Sequence, residues 1–146
     1  MNKIVLMLTA SAALLICQPG YSQQVDTTQN PNAFIREFTS QRYAIAGKKS
    51  TLSAFYSLKP DCAPVDWVEV KITKSPENGE AKLVDGNTRA NYTAPNPRVK
   101  CNDKSTKARV LEYIPTKGYA GPDAIEVELI DSTGARVLYT FNITVK

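Results

Sequence analysis

The sequence predicts an all-β protein: an antiparallel β-sandwich of about seven to eight strands, built as one domain and closed by one disulfide. Three observations carry this. Short runs of alternating apolar and polar residues fill much of the 146-residue chain. Glycine, proline, asparagine and aspartate punctuate those runs about every ten residues, the spacing of turns between short strands. Two cysteines, Cys62 and Cys101, remain once an export signal is removed. No stretch keeps a helical period, and the length suits one hydrophobic core, not two.

In chain order, Met1-Asn2-Lys3 is followed by the largely apolar run from Ile4 to Ile16. One positive charge ahead of a short apolar core is the layout of a secretory signal peptide. Gly20-Tyr21-Ser22 supplies the small-x-small cleavage pattern, so residues 1–22 are expected to be removed. A lipid-modified N-terminus at Cys17 is the competing reading. It needs a small residue just before the cysteine, and Ile16 stands there. Residues 23–33 are polar apart from Val25 and read as a flexible leader, because they cannot bury enough surface to offset the entropy of ordering. The domain is expected over 34–146. It begins with an irregular edge strand around Phe34–Phe38. A strand over Ser50–Leu58 places Leu52, Ala54, Tyr56 and Leu58 on one face. Another over Trp67–Thr73 turns Val68, Val70 and Ile72 inward, with Trp67 on the polar side or at the rim. Ala81–Val84 and Arg89–Thr93 bracket Asp85-Gly86, a dipeptide favoured in tight hairpins.

The C-terminal third is the most regular. Val110–Ile114 reads as a strand ended by Pro115, which cannot donate to a ladder. Ala124–Ile130 sends Ile125, Val127 and Leu129 inward and Glu126 and Glu128 outward. From Arg136 to Lys146, Val137, Tyr139, Phe141, Ile143 and Val145 share one face. The polar loop Asp131–Ala135 joins the last two runs into a hairpin. The pattern Tyr113-x-Pro115, Gly118-Tyr119-x-Gly121-x-Asp123, a strand and Asp131-x-x-Gly134, with the upstream turn Ser75–Gly79, resembles bacterial cadherin-like and immunoglobulin-like repeat domains over roughly residues 65–146. The resemblance implies an immunoglobulin-like sandwich. With strands in that order, the connections holding Cys62 and Cys101 leave the same end as the Asp131–Ala135 hairpin. The Gly118–Pro122 turn leaves the other end.

An even cysteine count in an exported chain implies a disulfide, here Cys62–Cys101, worth about 4 kcal/mol in the chain-entropy model. It joins two loops, unlike the antibody bridge between core strands. The charge gathers on the same loops. Arg98, Lys100, Lys104, Lys107 and Arg109 stand against one acid, Asp103. That local balance of +4 compares with +4 for the whole chain and +3 once Lys3 leaves with the signal, so the rest of the mature chain sums to −1. The stretch reads two ways: a site for an anionic protein surface or envelope polymer, or a solvated basic loop. Aromatics are not interleaved with the bases, so nucleic acid is not the expected partner.

Catalytic chemistry finds little to use. There is no histidine, which removes histidine-based triads and histidine metal sites. Glu126 and Glu128 share a strand face about 7 Å apart, within reach of a paired-carboxylate mechanism, but outward carboxylates on a strand are ordinarily solvated. Asp123 and Asp131 sit in turns, where aspartate serves turn geometry, and no dense oxygen-bearing loop for calcium accompanies them. The expectation is a non-enzymatic, exported binding module, periplasmic or secreted, without cofactor or metal, using Arg98, Lys100, Lys104, Lys107 and Arg109 on a stapled loop cluster. The alternative is an envelope assembly component that pairs through its sheet edges.

Overall fold

The alternation that begins at Arg136 builds β9 (Arg136–Val145), whose Val137, Phe141, Ile143 and Val145 are buried. The computed structural model describes residues 35–65, 69–130 and 134–146. The expected signal peptide and leader, Phe34, Trp67, Val68 and Asp131 lie outside them. The other strands are β1 (Ile35–Ala44), β2 (Ser50–Phe55), β3 (Ser57–Leu58), β4 (Pro64–Val65), β5 (Glu69–Lys74), β6 (Gly79–Arg89), β7 (Ser105–Pro115) and β8 (Gly121–Ile130), with a 3-10 helix at Pro97–Cys101. They form a four-stranded sheet in the order β1-β9-β8-β5, a three-stranded sheet in the order β2-β7-β6, and the small hairpin β3-β4. Leu52, Phe55 and Leu111 of the three-stranded sheet meet Val127, Phe141 and Ile143 of the four-stranded one in a single apolar cluster. Each fully buried side chain of this kind contributes about 1.5–3 kcal/mol.

Several elements differ from the sequence reading, each for a physical reason. Asp85-Gly86 is not a hairpin. β6 runs straight through it, paired residue for residue with β7 from Gly79–Pro115 to Arg89–Ser105. Gly86 is needed for a close approach: a Cβ there would lie 2.9 Å from Val110 Cγ2. Asp85 instead faces Arg109 across the ladder. In β2 the register shifts between Thr51 and Ser53. That bulge sends both Leu52 and Phe55 into the core, which strict alternation would have separated. β1 is regular, not irregular, and it pairs parallel to β9. The other strand pairs are antiparallel.

Strand direction sets two ends. β8 starts and β7 finishes at one of them, where Gly47 N donates to Pro115 O (3.0 Å) and Thr116 N to Asn78 O (2.9 Å). At the other end lie Arg89, Ser105, Ile130 and Arg136, which close their respective ladders.

Candidate functional site

The second end is organised by the loop Lys59–Ala63 and the segment 90–104. Lys59 N donates to Ala63 O (2.8 Å) and Cys62 N to Lys59 O (2.9 Å), closing a tight loop with Cys62 at φ +70°. Asn96 caps the 3-10 helix by accepting from Arg98 N (2.9 Å). The Cys62–Cys101 disulfide joins the two segments, with Cα atoms 5.5 Å apart across 39 residues of sequence. Cys101 is fully buried in a small cluster with Leu58 and Ala90, flanked by Tyr56 and Tyr92. Polar side chains replace a ladder here. Asn102 accepts from Tyr92 N and donates to Tyr92 O, both at 2.9 Å. Tyr92 Oη accepts from Leu58 N (3.2 Å). Tyr56 Oη donates to Asn91 Oδ1 (2.5 Å) and accepts from Asn91 N (2.8 Å). Sequence reasoning missed Tyr56, Asn91, Tyr92 and Asn102, because their partners lie on other segments and no local pattern marks them.

The five predicted bases do not form one loop. Arg98, Lys100 and Lys104 lie on or just after the 3-10 helix, while Lys107 and Arg109 belong to β7. Nor are they equivalent. Arg98 Nε donates to Leu58 O at 2.5 Å, tying the helix to β3. Arg109 pairs with Asp85 Oδ1 at 2.6 Å. Lys100, Lys104 and Lys107 are exposed, and their ammonium groups have no partner among the described residues. Two of the five bases therefore have partners, while Lys100 and Lys104 face solvent on the segment that the disulfide anchors and Lys107 faces it from the start of β7.

The paired-carboxylate reading fails on Glu128. That side chain is buried, not solvated. Lys71 Nζ lies 2.9 Å from Glu128 Oε2, and Arg136 Nε 2.5 Å from Oε1. The Lys71 hydrogen bond, opposed by burial and joined by Arg136, holds the carboxyl below its ordinary range. A general acid needs the opposite shift.

The motif that carries the family resemblance gathers at the first end. Asp123 Oδ1 accepts from Glu77 N (2.9 Å) and Ala124 N (2.8 Å). Its Oδ2 accepts from Asn78 N (3.0 Å) and Tyr113 Oη (2.7 Å). One carboxylate thus ties the 75–78 turn to β7 and β8. Gly79 fits beneath Tyr113, where a Cβ would lie 2.5 Å from Cε2 of its ring. Tyr119 Oη reaches Pro122 O at 2.6 Å. Burial alone would raise the Asp123 pKa, but the hydrogen bonds from Tyr113 and the three amides outweigh it and lower it. Burial, then the bond to Asp123, pushes the Tyr113 hydroxyl well above its ordinary range. The Asp123 oxygens each already accept two donors, which is turn chemistry. Among the described residues no cluster of three or more His, Cys, Asp or Glu side chains is placed to hold a metal, and no helix is long and apolar enough to cross a membrane.

No family model and no curated protein matches the chain. A solved structure of PbICP-C in complex with falcipain-2 aligns with 77% of this chain and 91% of that one, at 11% identity and a TM-score of 0.35. At that level the likeness establishes neither fold nor role, and the chain is characterised by its own geometry: a multi-sheet β-protein with a Cys62–Cys101 disulfide.

Proposed function

We propose that this chain is an exported, non-enzymatic, immunoglobulin-like module that captures an anionic macromolecule with its disulfide-stapled end. The observation that carries the reading is the contrast among its bases: Lys100, Lys104 and Lys107 are exposed and unpaired among the described residues, the first two on a segment held by the disulfide, Asn96 and Asn102, the third on β7, held by its pairing with β6. A pre-held charge cluster loses little entropy on binding. Two sheets that share the main apolar cluster support the immunoglobulin-like assignment. The N-terminal apolar run and the disulfide support export. Arg98 ties the 3-10 helix to Leu58 O, and Arg109 pairs with the exposed Asp85 of β6.

The test uses polyglutamate and polyphosphate as probes, one for a carboxylate-rich protein surface and one for a phosphate-rich envelope polymer. Binding is measured against salt for the wild type, a Lys100→Glu, Lys104→Glu, Lys107→Glu variant, and a Lys48→Glu, Lys49→Glu, Lys117→Glu control of equal net charge. Loss of binding and of salt dependence in the first variant alone supports the site. Equal weakening in both reduces the effect to net charge and removes it.

A further inference from the structure

The free edges of the two sheets are unequal. A sheet edge presents unpaired backbone groups, and β-proteins blunt it with bulges, charged side chains (lysine above all), proline or short strands. The edges here are β1 and β5 of one sheet and β2 and β6 of the other. β2 is bulged between Thr51 and Ser53, and Arg42 Nε caps Leu52 O at 2.7 Å. β5 is short, shifts register between Ile72 and Lys74, and carries Lys71 and Lys74. β6 contains Gly79, Lys82 and Gly86. β1 has no bulge and no lysine; its charges are Arg36, Glu37 and Arg42, whose Nη1 donates to Gln41 O at 3.1 Å. Its ten residues pair with β9 in unbroken register and include no proline, glycine or lysine. It exposes Phe38 (47%) and Tyr43 (70%), with Ile45 (54%) just beyond.

The strand is also complementary to itself. In a twofold antiparallel pairing the outer faces stay together, so residues of equal parity meet across the axis. With Ser40 on the axis, Phe38 faces Arg42 of the second copy, Thr39 faces Gln41, Glu37 faces Tyr43 and Ile35 faces Ile45. No like charges meet. Centring on Thr39 sets Arg36 against Arg42 twice. Centring on Gln41 sets Glu37 against Ile45. We infer that two copies of this chain pair antiparallel through β1 with Ser40 on the axis, joining their four-stranded sheets into one. Because Ile35 lies at the disulfide end and Ala44 at the Asp123 end, the two basic ends then point in opposite directions. This pairing stands apart from the polyanion reading, since it uses none of the lysines.

The test is register-specific. Thr39 and Gln41 are both exposed. In the full mature chain, Thr39→Lys with Gln41→Lys places two lysine pairs face to face, and weakens dimerisation about tenfold by analytical ultracentrifugation. Thr39→Lys with Gln41→Glu places each lysine opposite a glutamate and keeps the wild-type dimer. Unchanged thermal melting of the dissociated Lys/Lys chain shows that its monomer is intact. A wild-type chain that stays monomeric at every soluble concentration overturns the inference, even if it takes up another extended polypeptide. Equal weakening by both double variants overturns it too.

Discussion

The two ends of this molecule solve the same problem with different chemistry. At the Asp123 end one buried carboxylate collects four donors, and the elements around it are fixed by hydrogen bonds. At the disulfide end a covalent bond and a few side-chain amides do that work, and Lys100 and Lys104 on that segment, with Lys107 on the neighbouring β7, are left facing solvent. Satisfied polar groups have nothing further to offer a partner, whereas exposed, held charges do. The residues most conspicuous in the sequence are therefore those that maintain the fold, and the candidate site is at the other end.

Breaking the staple should produce the largest effect. Cys62→Ser with Cys101→Ser is expected to cost about 4 kcal/mol in the chain-entropy model, read as a lower denaturant midpoint. Polyanion binding should weaken as well, because the segment carrying Lys100 and Lys104 loses its anchor. If stability falls while binding stays intact, holding the charges in place is irrelevant to capture.

At the opposite end, Asp123→Ala strands three backbone amides and leaves the Tyr113 hydroxyl only its longer bond to Asn78 O, at 3.3 Å. The expected cost is about 3 kcal/mol, since each buried unsatisfied group is expensive. Tyr113→Phe removes one donor and leaves the carboxylate three others, so about 1 kcal/mol is expected. Neither variant should alter polyanion binding per folded molecule. A binding defect in either one would join two ends that the structure keeps separate.

The same pair gives the stability curve both of its limbs. Asp123 is held below its ordinary value of 3.8. Its contribution is complete above that value and is lost as pH falls through the lower folded value. Glu128, held below 4.5, adds to the acid limb. Tyr113 is raised above its ordinary 10.0, so its contribution is complete below pH 10 and fades as pH rises beyond it. Denaturant midpoints across pH should therefore fall below about pH 4. Asp123→Ala should shrink that decline but not abolish it, because Glu128 remains. Tyr113→Phe should shrink the alkaline decline. An acid limb unchanged in Asp123→Ala would mean that Glu128 or another carboxylate carries it.

How much of this was legible beforehand depended on whether the cause was local. The alternation of β9 and the β8–β9 pairing are written in neighbouring residues, the cysteine pair is written in the count alone, and each appears in the structure. The bulge that brings Leu52 and Phe55 into one core is set by pairing with β7, which no window over β2 contains. Asp85-Gly86 has the composition of a turn, yet Val110 determines why the glycine is there. Arg98 looked like a free base because its acceptor, Leu58 O, is 40 residues away in the chain. Glu128 looked solvated because Lys71 and Arg136 reach it from neighbouring strands. The candidate site was thus located by composition, but its division into supporting and exposed bases was not visible in the sequence.

The smallest effect sharpens that division. Replacing Lys100, Lys104 and Lys107 with alanine should leave stability within about 0.5 kcal/mol, as expected of surface changes that break no partner. Arg98→Ala should cost more, about 1 kcal/mol, because it leaves Leu58 O without the guanidinium that links β3 to the 3-10 helix. Arg109→Ala should fall between them, since its pairing with Asp85 is largely exposed. Denaturant midpoints should thus rank the bases by what they hold, and polyanion binding should rank them in reverse. If the three lysines prove as costly to remove as Arg98, they are held by partners of their own, and the cationic surface assigned to this end does not exist.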